Sequence, residues 1–288
     1  MSFSSEVKEE LARHLSSARH CQLAELAAIM NFCGQYGRDN EGNYTIGFQT
    51  ENEAVVRKGF TLLQKTYNIK NGAIMNEEQL QAILSKIGDL EEPVNALLIK
   101  NACCQRAFLR GAFLATGSMS DPNKGYHLEF VCTGEDKAIQ LQSLIQGFGI
   151  EAKIVLRKKY HVVYLKEGAG IVDLLNVCEA HVALMELENL RILKEMRNSI
   201  NRRVNCEAAN ITKTVNAANR QIEDIEYIRD HYGFLNLPEA LRQMAEVRLE
   251  NPDASLKDLG ELLSPPVGKS GVNHRLRKLS ELAEKVRA

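Results

Sequence analysis

No stretch of this chain approaches the roughly 20 consecutive apolar residues that a membrane-spanning helix requires. The opening Met-Ser-Phe-Ser-Ser-Glu-Val-Lys-Glu-Glu also lacks the apolar core of a secretory signal and reads instead as the acidic start of an amphipathic helix. The expectation is a protein that stays in the cytoplasm, with no membrane partner. Seven cysteines, at 21, 33, 103, 104, 132, 178 and 206, are an odd number without any Cys-x-x-Cys spacing. Neither a disulfide frame nor a zinc site is suggested, and reduced, buried thiols are expected. Net charge is scarce too, at −1, which taken alone argues against a nucleic-acid binder. A hydrophobic content of 44% with 25% charged residues sets disorder and fibres aside, and 288 residues suit about two domains.

The charge is unevenly spread. Between 191 and 220, Arg191, Lys194, Arg197, Arg202, Arg203, Lys213 and Arg220 face only Glu195 and Glu207, a local net of +5. Between 265 and 288, Lys269, Arg275, Arg277, Lys278, Lys285 and Arg287 face Glu281 and Glu284, a local net of +4. Basic charge is concentrated in the last third of the chain.

The first two thirds carry an internal repeat. In Cys104-Gln-Arg-Ala-Phe-Leu-Arg-Gly-Ala-Phe-Leu-Ala-Thr-Gly117, small residues recur at Ala107, Gly111 and Ala115, along one side of a helix where another backbone can come close. The partner lies 83 residues earlier, in Cys21-Gln-Leu-Ala-Glu-Leu-Ala-Ala-Ile-Met-Asn-Phe-Cys-Gly34. Tyr44-x-Ile46-x-Phe48 is echoed by Tyr126-x-Leu128-x-Phe130, and Tyr67-Asn-Ile69 by Phe148-Gly-Ile150.

Taken in order, the chain predicts a helix over 4–17 capped by Ser4 or Ser5, a repeat helix over 20–34 closed by Gly34, a strand over 43–51, a helix over 52–66 and an extended piece over 67–75. Residues 77–93 read as a polar helix or linker. The second half repeats the plan: helix 101–117, strand 125–133, helix 135–147, strands 150–157 and 160–166 with Lys158-Lys159 at the hairpin tip, then helix 168–178. The fold class is α+β, with a duplicated domain over 1–180 that has pseudo-twofold symmetry about the paired helices. Beyond 180 strands cease. A helical basic connector over 181–235 includes an asparagine-rich stretch, 201–221, whose poor helix formers suggest either phosphate contact or a solvated linker.

The last module, 236–288, opens with Pro238 at a helix start and continues with a second helix from Ser255, where Asp258 completes a capping-box pattern. Ser264-Pro-Pro-Val-Gly-Lys269 breaks the chain before a basic third helix, read as capped by Ser270. That layout is a helix-turn-helix. With Val272, Leu276 and Leu279 turned inward, Asn273, His274, Arg275, Arg277 and Lys278 face out. Unpaired N–H groups at Ser270 and Gly271 suit a DNA phosphate, while Asn and Arg match adenine and guanine edges in the major groove. Ser255, Lys269, Arg202 and Arg203 complete the set of DNA-contacting candidates. His274 lacks a nearby carboxylate and receives no catalytic role.

The paired helices resemble the LAGLIDADG motif of homing endonucleases, with Leu26 to Gly34 and Leu109 to Gly117 aligning to its nine positions. In that family the resemblance implies an acid at the eighth position of each motif, holding a divalent metal for phosphodiester cleavage. Here those positions hold Cys33 and Thr116. Neither a thiol nor a hydroxyl supplies the hard anionic oxygens that Mg²⁺ needs, so no enzyme, no metal and no cofactor are expected. A rival reading gives the metal to Asp39, Asp121 or a glutamate; both aspartates sit in loops, where a turn cap is the expected role. A degenerate, duplicated LAGLIDADG domain followed by a helix-turn-helix is similar to the WhiA family, most specifically in 108–122, 201–210 and 268–278. The resemblance implies a sequence-specific regulator of transcription, bound to double-stranded DNA and associated with the nucleoid, with roles in sporulation, cell division or chromosome segregation. The N-terminal domain then offers a second surface for DNA, a protein partner or a ligand.

Overall fold

The chain enters its first helix earlier than the serines at 4 and 5. In α1 (Phe3–Arg13) the cap is Ser2, whose hydroxyl oxygen accepts a hydrogen bond from the Ser5 N–H at 3.2 Å, and the helix stops at Arg13 rather than near 17. The computed structural model describes residues 2–39, 42–69 and 74–288. They divide into two units, Met1–Glu195 and Met196–Ala288, each with its own hydrophobic core.

The core of the first unit is built on the repeat helices, α2 (Arg19–Cys33) and, in the second half, its counterpart over Ala102–Thr116. Eleven of the fifteen residues of α2 are buried, so it has almost no polar face; a helix apolar all round belongs inside. After α2 come β1 (Gly34–Arg38), β2 (Tyr44–Phe48), α3 (Glu53–Tyr67), β3 (Ile74–Met75) and α4 (Glu77–Ile87). The polar segment after 77 is a helix because Asn76 and Gln79 form a capping box: the Gln79 N–H donates to Asn76 Oδ1 at 2.9 Å, and the Asn76 N–H to Gln79 Oε1 at 3.1 Å. The second half supplies α5 (Ala102–Thr116), β4 (Gly117–Met119), β5 (Leu128–Cys132), α6 (Glu135–Gly147), β6 (Lys153–Arg157), β7 (Tyr160–Leu165) and α7 (Gly168–Cys178).

Small residues let α2 and α5 touch. A Cβ on Gly111 would lie 2.5 Å from the Glu25 carbonyl oxygen and 2.9 Å from Ala28 Cβ, so only glycine fits there. Beside this contact a charged group is fully enclosed. The Glu25 carboxylate receives Lys58 Nζ at 3.0 Å, Arg110 Nε at 3.0 Å and Arg110 Nη2 at 3.3 Å; Arg110 also pairs with Glu179, which takes His14 Nε2 at 3.1 Å. Burial alone would lower the Arg110 pKa, yet Glu25 and then Glu179 hold it above its ordinary value.

The strands form two antiparallel sheets, β1-β2-β3 and β4-β5-β7-β6. Strands β1 and β4 fall outside the expected plan. Gly34 has φ −76° and ψ 152° and Gly117 has φ −69° and ψ 144°, so each helix passes straight into an extended strand instead of closing in a left-handed turn. A Cβ at Gly34 would lie 2.5 Å from the Met30 carbonyl oxygen, and one at Gly117 2.5 Å from the Phe113 ring; these glycines make room at a sharp exit. Strand β2 buries Ile46 with Tyr44 and Phe48 half-buried, and Lys158 with φ 58° turns the β6–β7 hairpin where expected. Of the extended piece read over 67–75, residues 70–73 lie outside the described residues.

Next comes α8 (His181–His231), a helix of 51 residues that includes the asparagine-rich stretch read as either a phosphate contact or a solvated linker. Asparagine costs a helix only a few tenths of a kcal/mol more than a good former, a deficit that the Ala, Arg, Glu and Lys residues between offset within a long helix. The Arg203–Glu207 pair at 3.0 Å reinforces it. The second unit closes with α9 (Glu239–Glu250), α10 (Leu256–Leu262) and α11 (Lys269–Arg287) around Met244, Leu259, Val272, Leu276 and Leu279, joined by Ile225 and Ile228 from α8. Leu263 is buried while Leu262 is exposed, which resolves the alternative left open at the end of α10. Arg287 ties the end of α11 to α8, with Nη1 2.8 Å from Asp224 Oδ1 and its guanidinium 4.8 Å from the Tyr227 ring centroid. Among the described residues no helix is long and apolar enough to cross a membrane.

Candidate nucleic-acid interface

Cys33 and Thr116, the eighth motif positions, are the last residues of α2 and α5. Neither is available to a hard cation. The buried Cys33 thiol donates to the Ile29 carbonyl at 3.3 Å, and burial pushes its pKa up to about 12, with Lys8 pulling weakly the other way. The Thr116 hydroxyl accepts from the Val131 N–H at 3.1 Å and donates to the Val131 carbonyl, fixing the helix end to β5. Asp39 accepts from the Asn43 N–H at 2.8 Å, and Asp121 from the Asn123 N–H at 2.9 Å, so both aspartates cap their own loops.

In the second unit α10, a tight turn and α11 make the helix-turn-helix. The turn is held by one backbone bond, from the Val267 N–H to the Gly260 carbonyl at 2.9 Å. It approaches so closely that a Cβ on Gly260 would stand 2.0 Å from the Val267 oxygen. Folded back in this way, the chain is already helical at Lys269. The residue at the cap is therefore Gly268, extended at φ −65° and ψ 159°, and Ser270 lies within the first turn rather than capping it. Gly271 sits against Val267, whose Cγ1 would be 2.4 Å from a Cβ there, and its N–H, read as unpaired, donates to the Gly268 carbonyl at 2.9 Å.

The apolar stripe of α11 is Val272, Leu276, Leu279 and Ala283. Its opposite face presents Lys269, Ser270, Asn273, His274, Arg277 and Lys278 to solvent, with Arg275 half-buried. Arg277 is ion-paired to Glu281 at 3.1 Å. Lys269, Asn273, His274, Arg275 and Lys278 have no side-chain hydrogen bond or ion pair among the described residues, so their donors remain uncommitted. Arg202 and Arg203 are exposed on α8, Arg203 being paired to Glu207.

Ser255 does cap α10: its hydroxyl accepts from the Asp258 N–H at 3.3 Å, and its own N–H donates to Asp258 Oδ2 at 3.1 Å. The Ser255 hydroxyl and then its backbone N–H hold the Asp258 pKa below the ordinary 3.8. A carboxyl depressed in the folded state contributes stability that is fully present above its unfolded pKa and lost as pH falls through the folded one. The second unit is therefore expected to weaken as pH drops below 3.8, and Asp258→Asn to flatten that part of a pH–stability curve followed by circular dichroism.

A cleft of about 430 Å³ within this unit brings Ser255, Lys269 and Asn273 together with Lys213, Lys257 and Arg248. The last three were not singled out as site residues from the sequence. Arg248 could have been, because it falls in step with Leu241, Met244 and Ala245 on the buried stripe of α9, where a guanidinium is out of place. Burial lowers its pKa, Asp253 opposing; Nη1 donates to the Ala254 carbonyl at 2.8 Å, while Nε lacks a protein partner among the described residues.

Three family models match the chain along its length: the WhiA N-terminal LAGLIDADG-like domain over 19–81, the WhiA LAGLIDADG-like domain over 105–197 and the WhiA C-terminal HTH domain over 200–283. The chain is 51% identical to the "Probable cell division protein WhiA" of Lachnoclostridium phytofermentans, with 100% of each covered. It is 49% identical to the protein of the same name in Alkaliphilus oremlandii, over 99% of this chain and 98% of that one. The crystal structure of full-length WhiA from Thermatoga maritima matches with a TM-score of 0.60 and 26% identity, covering 99% of both chains. Two LAGLIDADG-like halves without carboxylates at their helix ends, followed by a helix-turn-helix, agree with these matches: the chain belongs to the WhiA family.

Proposed function

We propose that this protein is a non-catalytic, sequence-specific regulator of transcription that binds double-stranded DNA and acts in cell division, with chromosome segregation or sporulation as the processes it serves. The observation that carries the reading is the outer face of α11, where amide, imidazole, guanidinium and ammonium donors stand without partners among the described residues, beside the open end of the helix. Asn273 and Arg275 read base edges in the major groove, with His274, Arg277 and Lys278 beside them. Ser255, Lys269 and Ser270 take backbone phosphates beside Gly271, to which Arg202 and Arg203 of the connector over 181–235 add charge. The module over 236–288 is the reader, and the duplicated domain over 1–180 supplies a second surface for DNA, a protein partner or a ligand. The cell-division role is supported by the names of the two bacterial relatives.

The test begins with selection of a preferred DNA site and measurement of its affinity by fluorescence anisotropy. Asn273→Ala and Arg275→Ala are each expected to cost about 1–3 kcal/mol on that site and far less on random DNA. Lys269→Ala and Lys278→Ala should weaken both about equally and reduce the salt slope by about one. Unchanged discrimination in the first two variants would remove α11 as the reader.

A further inference from the structure

The pairing of α2 with α5 also gathers two pairs of adjacent side chains that lie far from each other in sequence. His20 and Cys21 lie in the first turn of α2, and Cys103 and Cys104 in the first turn of α5. Their ligand atoms all lie within 4.8 Å of one another; His20 Nδ1 is 3.2 Å from Cys104 Sγ and 3.3 Å from Cys21 Sγ. Cys21 and Cys104 are buried, whereas His20 and Cys103 are exposed.

The geometry points to a structural zinc site in which His20, Cys21, Cys103 and Cys104 hold one ion and staple the N-terminal ends of the repeat helices. Three sulfurs and an imidazole nitrogen form a complete tetrahedral set. With bonds of about 2.3 Å to sulfur and about 2.0–2.1 Å to nitrogen, the edges of such a tetrahedron are about 3.5–3.8 Å, within reach of small side-chain adjustments from the present positions. Thiolates with imidazole favour zinc over Mg²⁺ or Ca²⁺, which take oxygen. Apolar packing accounts for Cys21 and Cys104, but not for an exposed histidine and cysteine directed at the same point.

Four protein ligands leave no open coordination position, so the ion would hold structure rather than hydrolyse. It lies at the opposite ends of the helices from Cys33 and Thr116, about 18 Å away along twelve residues of helix. Spacing rules miss this site because each helix contributes two adjacent residues. The signal in the sequence is the repeat itself, which aligns Cys21 with Cys104 and leaves His20 opposite Cys103.

The test uses the full-length protein purified under reducing conditions from zinc-supplemented cells, with bound metal measured by plasma mass spectrometry. About one zinc per chain is expected, and cobalt substitution should give the intense visible bands of tetrahedral thiolate coordination. His20→Ala and Cys103→Ser alter only exposed ligands; they should retain native circular dichroism and fall below about 0.1 zinc per chain. Cys206→Ser, at an exposed thiol of α8, should keep its metal. EDTA should lower the melting temperature of the parent by about 10 °C and leave that of Cys103→Ser unchanged. Substoichiometric zinc in the parent, equal zinc in the ligand variants, or a disulfide from Cys21 to Cys103 or Cys104 in the reduced preparation would overturn the assignment.

Discussion

Glu25→Ala is expected to destabilise the first unit by about 3–5 kcal/mol, a large share of the roughly 5–15 kcal/mol by which folded domains exceed their unfolded chains. The cost comes less from the lost bonds than from what remains. Lys58 and Arg110, whose side chains are 1% and 2% exposed, would be left around an uncharged gap, with Glu179 alone among the described residues still paired to Arg110. Glu25→Gln keeps the shape and some hydrogen bonds, so its loss should be smaller. Replacing all three charged residues together by apolar side chains of similar volume should recover most of the stability, since a buried ion group is costly chiefly when broken. Urea denaturation followed at the first transition measures all three. A loss below about 1 kcal/mol for Glu25→Ala would mean that water reaches the group.

Gly260→Ala is expected to unfold the helix-turn-helix while leaving the first unit folded. One methyl group would have to occupy space 2.0 Å from the Val267 carbonyl oxygen, an atom of a backbone held by the bond from its own N–H to Gly260. Overpacking costs about 1–3 kcal/mol where side chains can yield; here backbone must move, and we expect at least about 3 kcal/mol. Because α10 and α11 share the core formed by Leu259, Val272 and Leu276, the loss should spread through the unit. Two-dimensional NMR should show collapsed dispersion for residues of the second unit only, with DNA binding lost alongside. Native-like spectra would show that the turn has another conformation open to it.

Much of this fold can be read from residue order because it is written twice. Ala107, Gly111 and Ala115 at four-residue spacing, the first two matched 83 residues earlier by Ala24 and Ala28, predict a close helix pair before any strand is located. The inner and outer faces of α11 follow in the same way from Val272, Leu276 and Leu279, since helical period alone separates them. Features that depend on long-range geometry are not legible. Ser270 looks like a cap, but the cap is decided by where the turn folds onto Gly260, ten residues away. Strands β1 and β4 escape because Gly34 and Gly117 suggest an ordinary helix end, and only packing against Met30 and Phe113 shows a chain turning directly into a sheet. Within the candidate interface, Lys213, Lys257 and Arg248 become neighbours of Lys269 only when α8, α9 and α10 close around one cleft.

The attachment of Thr116 to Val131 limits what the helix ends can carry. Installing an aspartate at 116 would set its oxygens against the Val131 carbonyl, acceptor facing acceptor, and one at 33 would place a charge at a residue that is 7% exposed. Thr116→Asp would loosen the joint of α5 to β5, and Cys33→Asp would bury a charge in the last turn of α2. An acid at either eighth position thus carries a structural cost that is felt before any metal could be bound.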